Sequence, residues 1–174
     1  MITVVTATIP SREQLLAECH ATVEALGLSH LIEIDVDREG PAAVRNRLVE
    51  QVTTEWVLFL DDDDLLYPNY FGTVLPYLPT ADVVYTAWDL TGAEDPQPEA
   101  WFDPIVLRHH NTIPVTACVR TSMFRKVGGF PEGEDLEDYA LWLKLLDVGA
   151  RFAYIPVIAW HYRRQPGSRT EMVA

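Results

Sequence analysis

The chain has 174 residues, 48% of them hydrophobic, and a formal net charge of −13. That length supports one hydrophobic core and is short for two, and the apolar fraction excludes a largely disordered protein. The negative charge repels nucleic-acid backbones and anionic membrane surfaces, so neither is expected as a partner.

"ITVVTATI" (2–9) reads as a buried strand closed by Pro10. The next segment opens with Ser11 and has Gln14 three residues on, a capping-box pattern, with Leu15, Leu16, Cys19, Val23 and Leu26 on one helical face and Gly27 as the stop. "HLIEIDV" predicts a second strand, "AAVRNRLVEQV" a second helix and "EWVLFL" a third strand. This β-α-β-α-β order implies a mostly parallel central sheet flanked by helices, an α/β fold whose ligands bind beyond the carboxyl ends of the strands. "NYFGTVLPYL" reads as a helix interrupted by Pro76, and "DVVYTAW" as a strand. A Pro-rich and acidic stretch (89–104) reads as the longest loop. After it come a strand "IPVTACV", a short helix "TSMFRKVG", an amphipathic helix "LEDYALWLKLLDVG" and finishing strands through "RFAYIPVIAWHY".

No apolar run reaches the about 18 residues of a membrane span, and the first ten residues lack the positive charge of a leader. A chain of cytoplasmic type without a transmembrane segment is expected. Cys19 and Cys118 have no CxxC spacing and read as buried small hydrophobes. Walker-type, GxGxxG, GxSxG and HExxH motifs are missing, which removes P-loop, dinucleotide, serine-hydrolase and zinc-protease chemistry from consideration. His109 and His110 are adjacent at the end of a loop and read as ordinary histidines rather than ligands.

Four consecutive acids, Asp61 to Asp64, follow the apolar third strand directly. In extended backbone Asp61 and Asp63 project to one side and Asp62 and Asp64 to the other. Two carboxylates in a crevice at a strand end make half a shell for a hard divalent cation. The competing reading is that the acids cap a turn or face solvent. "DVDREG" (35–40) imitates an EF-hand start but has Pro41 after the glycine and Asn46 where the closing Glu belongs. Asp35 and Asp37 are instead expected at the sheet's ligand edge. Arg45 stands in the helix before the acidic strand, able to brace an aspartate or a phosphate. Arg47 beside Glu50 and Gln51 reads as an ordinary polar face. In "GGFPEGEDLEDY", Asp135 reads as an N-cap, and Asp138 either completes the cap or serves as a general base.

These motifs together resemble family 2 glycosyltransferases of the GT-A fold over residues 2 to 169. "VVTATIPSRE" is similar to that family's V-x-I-P-T-x-N-R, "VRNRLVEQVTTEWVLFLDDDDLLYP" to its A-R-N…F-L-D-x-D-D…P, and "VGGFPEGEDLEDYALWLKLLDVGARFAYIPVIAWHYR" to its G-G-F-D-E…E-D-x-D-L-W-L-R-L…G…Y-R. The resemblance implies a Rossmann-like nucleotide-diphospho-sugar transferase domain, with residues 1–64 as the nucleotide-binding half and 65–174 as the acceptor and catalytic half. It implies inverting transfer from a nucleoside-diphosphate sugar, a UDP-sugar by family frequency, with Mn²⁺ or Mg²⁺. Asp61 and Asp63 match the metal-binding D-x-D, with Asp62 between them in the donor site. Asp35 matches the acid that holds the base, with Ile9 and Pro10 near it. Asp138 matches the catalytic base and Glu137 its neighbour. Where many members carry Y-R-x-H-x-x-S, this chain has "YRRQPGS" with Gln165 at the His position, which leaves Arg163 and Arg164 as candidates for neutralising the diphosphate. A catalytically silent nucleotide-sugar or partner-binding module is the alternative, and a nucleotidyltransferase a further one. Specificity is expected mainly in the loop from Asp89 to Asn111, where Trp101 either stacks on a sugar or pins the loop; the donor sugar, the acceptor and the oligomeric state are not read from the sequence.

Overall fold

The computed structural model describes residues 1–90 and 102–163. The first strand, β1 (Ile2–Thr8), buries Val4 on one face and Val5 on the other, as side-chain alternation in a strand covered on both sides requires. Pro10–Arg12 then makes a single 3₁₀ turn before α1 (Glu13–Ala25), whose N-cap is Arg12. The expected Ser11–Gln14 capping box is not made. Pro10 suits the first position of a tight turn, which delays the helix, and Gln14 donates to Glu18 at 3.5 Å instead.

β2 (Ser29–Ile34), α2 (Pro41–Glu50) and β3 (Trp56–Phe59) complete the first half. β1 pairs in parallel with both β2 and β3, so the carboxyl ends of three strands open on one edge. The remaining elements are β4 (Leu65–Leu66), α3 (Tyr70–Val74), β5 (Val83–Leu90), α4 (Pro104–Leu107), β6 (Cys118–Arg120), α5 (Thr121–Lys126), α6 (Glu137–Asp147) and β7 (Phe152–Tyr162). Pro76 ends α3 as expected, in a 3₁₀ turn. The seven-stranded sheet runs β2-β1-β3-β6-β5-β7-β4, with β6 antiparallel to both β3 and β5, and β5 parallel to β7. Register shifts at Thr86–Trp88 leave Pro156 and Val157 without ladder partners, which fits a residue that has no N–H to give.

Two core layers cover the sheet. Val57, Phe59, Val83 and Tyr85 face a cluster with Val44, Leu48, Phe124, Phe130, Leu141 and Trp142, whereas Trp56, Leu58 and Val84 face one with Cys19, Val23, Tyr70 and Val74. Both cysteines are buried and unpaired with each other. The expected strand 113–119 is shorter and displaced to Cys118–Arg120 because Trp142 Nε1 takes the Ile113 carbonyl at 3.0 Å. Arg120 locks this inserted strand: it lies over the Trp56 ring at 4.6 Å and donates to Asp82 at 3.1 Å. Among the described residues no helix is long and apolar enough to cross a membrane.

Candidate active site

The strand order brings four chain segments to one sheet edge: the turn after β1, the loop after β2, the acidic turn after β3 and the end of β7. The amino end of α6 joins them through the contacts of Arg45. The acidic stretch is not extended. Asp64 N donates to the Asp61 carbonyl at 3.1 Å, so residues 61–64 form a turn, and the expected alternation of carboxylates across a strand does not apply.

Each acid has a partner from a different element. Asp61, the most accessible of the first three, is ion-paired with Arg45 of α2. Asp62 is buried and accepts from Thr8 Oγ1 at 2.5 Å and Arg12 Nη1 at 2.6 Å. Asp63 has the same Arg12 nitrogen at 3.3 Å. Asp64, 1% exposed, accepts from Arg163 N at 3.1 Å. Burial, then the charge of Asp61, pushes the Asp63 carboxyl up to about 6, and burial followed by Asp61 and Asp63 raises Asp64 well above the usual carboxylate range. Arg12 is shared between Asp62 and Asp63, Arg45 is shared with Glu137 and Arg163 pairs with Glu18, so negative charge at the turn exceeds what the arginines offset.

That imbalance is the test of whether a cation fits. Asp61 and Asp63 supply hard oxygen donors in a field short of positive charge, which suits Mg²⁺ or Mn²⁺. Among the described residues no group of three or more His, Cys, Asp or Glu could hold a metal by itself. Remaining ligands would have to be water or phosphate oxygens, the arrangement by which Mg²⁺ commonly joins a protein to a nucleotide.

Asp35 follows β2 beside this turn, with its N donating to the Thr8 carbonyl at 2.7 Å. Its carboxylate accepts from the amides of Glu39 at 2.9 Å and Gly40 at 2.8 Å. Burial favours its neutral form, yet the amides of Gly40, Glu39 and Arg38 hold it below the ordinary carboxylate range. Ile9 is half-buried, and Pro10 and Asp37 are exposed at the same edge.

Arg45 is 2% exposed and serves two acids rather than gripping one bidentately. Its Nη2 meets Asp61, and its Nη1 donates to Glu137 Oε1 of α6 at 3.0 Å. Arg47, read as an ordinary polar face beside Glu50 and Gln51, is partly exposed and pairs with Glu33 at 2.5 Å and Glu39 at 2.8 Å. Arg163 donates through Nε to the Asp63 carbonyl and through Nη1 to Glu18 at 2.5 Å, so it ties the acidic turn to α1.

Asp138 stands in the first turn of α6. The N-cap is Leu136, and Asp135 is exposed and makes no cap, because the helix begins one residue later than a cap there requires. Asp138 Oδ1 accepts from Tyr139 N at 2.7 Å and Oδ2 from Asn111 Nδ2 at 3.1 Å. Burial nevertheless raises its carboxyl above the ordinary range, against those two bonds.

Sequence reasoning missed Thr8, Arg12 and Asn111. Arg12 had a usable signal: it follows the turn that closes the strand neighbouring the acidic one. Gln165, Arg164 and Trp101 lie outside the described residues.

A family model described as "Glycosyl transferase family 2" matches residues 11–118. The pre-mycofactocin glycosyltransferase of Mycobacterium tuberculosis is 30% identical over 168 residues, covering 84% of this chain and 34% of that protein. The chain thus spans about a third of the length of the curated relatives it matches. S. aureus TarS 1-349, in complex with UDP-GlcNAc, superposes with a TM-score of 0.78 at 16% identity, over 100% of this chain and 62% of that one. The mannosyltransferase PcManGT from Pyrobaculum calidifontis, in complex with GDP-Man and Mn²⁺, gives 0.70 at 16% identity, over 98% and 59%. At these identities the superpositions establish a shared GT-A fold, and the sequence matches establish descent: the chain belongs to glycosyl transferase family 2.

Proposed function

We propose that this chain transfers a sugar from a nucleoside-diphosphate sugar to an acceptor hydroxyl, inverting the anomeric carbon with the help of Mg²⁺ or Mn²⁺. The observation that carries the reading is the link through Arg45, which ties the acidic turn at Asp61 to α6, where the adjacent Asp138 has a raised carboxyl. Residues 1–64 form the donor half, with Ile9, Pro10, Asp35 and Asp37 around the nucleoside and Asp61, Asp62 and Asp63 toward the ribose and diphosphate. Residues 65–174 form the acceptor half. A cation held by Asp61 and Asp63 supplies neutralising charge for the departing diphosphate.

The other steps fall to the protein's own groups. Asp138 accepts the proton of the acceptor hydroxyl as that oxygen bonds to the anomeric carbon. The bond from that carbon to the phosphate oxygen breaks, and its electron pair leaves with the nucleoside diphosphate. The raised Asp138 carboxyl makes a stronger base than an exposed aspartate, and Asn111 and the Tyr139 amide keep it oriented. The UDP-GlcNAc of the TarS complex supports a UDP-sugar donor, and the GDP-Man of the PcManGT complex makes a guanosine donor the other candidate.

The test is to incubate the protein with UDP-GlcNAc, UDP-glucose or GDP-mannose and Mn²⁺ and to follow the nucleotide product. Release of nucleoside diphosphate, with slow hydrolysis where water stands in for the acceptor, supports sugar transfer. Release of sugar 1-phosphate, the leaving group when the nucleotide's α-phosphorus is attacked, sinks it in favour of nucleotidyl transfer, and no turnover with tight binding points to a silent binding module.

A further inference from the structure

Arg45 is almost wholly buried, and its guanidinium is divided between two acids 76 residues apart in sequence, Asp61 at the donor turn and Glu137 at the start of the base-bearing helix. Its Nε is buried without a hydrogen-bond partner among the described residues. Its polar hold is therefore entirely through the two terminal nitrogens, one to each acid. The Phe130 ring lies 5.4 Å from its guanidinium carbon and covers one side. Glu137 is 4% exposed and Asp61 carries the more accessible carboxylate of the two. Anything that takes Asp61 as a ligand must compete with Arg45, whereas Glu137 is held inside.

From this geometry we propose that Arg45 is a positioning residue that makes occupation of the donor turn and the seating of the α6 amino end depend on each other. The inference rests on the donor site proposed above. With the crevice empty, the guanidinium is shared. When a cation and diphosphate draw on Asp61, the positive charge of Arg45 is released toward Glu137, which pulls the first turn of α6, and Asp138 with it, onto α2. Because coupling between two sites is reciprocal, a change at Glu137 must alter affinity at Asp61 although Glu137 does not touch the donor.

The experiment is a mutant cycle on the whole chain with two readouts, calorimetric binding of UDP or GDP with Mn²⁺ and the urea midpoint without ligand. Glu137→Gln leaves Arg45 entirely to Asp61, so Mn²⁺-dependent nucleotide affinity should fall about fivefold or more. In the Arg45→Met background the same Glu137→Gln change should leave affinity unaltered. In the ligand-free arm, Asp61→Asn and Glu137→Gln should be non-additive in urea midpoint when Arg45 is present and additive when it is Met. Arg45→Lys keeps one charge but cannot reach both acids, and should lose the coupling while folding; it replaces Arg45→Met if that variant does not fold. Equal effects of Glu137→Gln in both backgrounds, or additivity with Arg45 present, overturn the proposal. If the wild type binds no nucleotide, the donor-site reading fails, and the urea arm still decides whether Arg45 couples the two acids.

Discussion

Asn46 and Phe130, 84 residues apart, exchange two hydrogen bonds: Asn46 Nδ2 donates to the Phe130 carbonyl and Phe130 N donates to Asn46 Oδ1, both at 2.9 Å. This amide clamp fastens the turn before α6 to α2, next to Arg45. Gly129, at φ +68°, lies against the same side chain, and a Cβ there would overlap Asn46 Oδ1 and approach Phe124 Cε1 to 3.2 Å. The close approach and the left-handed backbone together account for the glycine.

Gly129→Ala should therefore lower stability by about 1–2 kcal/mol from backbone strain alone, with more from displacing Asn46. Asn46→Ala should cost about 1–3 kcal/mol for each Phe130 group left without a partner. Urea denaturation of the two variants checks both values, and wild-type stability in Gly129→Ala would show that the clamp is slack.

Asp138→Asn should bind donor nucleotide normally and transfer sugar on the order of a hundredfold or more slower, because the amide cannot take the acceptor proton. Rates of nucleoside diphosphate release, set beside calorimetric affinity, separate the two effects. Near-normal turnover would reduce Asp138 to a ligand for the Tyr139 and Asn111 nitrogens.

Asp63→Asn should weaken Mn²⁺-dependent nucleotide binding by more than about tenfold, since even an outer partner of a metal ligand can cost that much. The variant should still fold, because the amide can keep its place in the turn. Unchanged affinity with Mn²⁺ would remove Asp63 from the ligand set.

His30 gives a pH dependence that lies apart from the donor site. Burial, then the neighbouring His20, pushes its imidazole down to about 4 from 6.5, while its ring nitrogens meet Thr6 at 2.8 Å and His20 at 3.0 Å. The unfolded chain binds the proton first, so this contribution to stability is complete above about pH 6.5 and is lost as pH falls toward about 4. His30→Gln should flatten that part of the profile of urea midpoint against pH. An unchanged slope between those limits would contradict the assignment.

The fold was readable where residues act locally. Alternation in "ITVVTATI" and "EWVLFL" and the apolar face of α6 gave the right elements, and their order gave the parallel half of the sheet. The antiparallel insertion of β6 was not readable, because it depends on Arg120 reaching Trp56, Glu55 and Asp82 in distant segments. At the candidate site, the types and positions of the acids were legible, but their directions were not. The alternation rule assumed a strand at Asp61 to Asp64 where a turn forms. Capping patterns failed at Ser11 and Asp135 for a related reason: neighbouring turns moved both helix starts. Arg45 was recognisable as a brace for an aspartate, while its second acid, Glu137, became visible only once α2 and α6 were packed together.

The measurement closest to the centre of the account is calorimetric titration of UDP, GDP and dTDP into the purified protein, each with Mn²⁺ and again with EDTA. One nucleotide should bind with Mn²⁺ and lose most of its affinity in EDTA, and Asp63→Asn should reproduce the EDTA result. Binding that is equal with and without the metal would contradict cation binding at Asp61 and Asp63. A folded protein that binds none of the three would contradict the donor site itself.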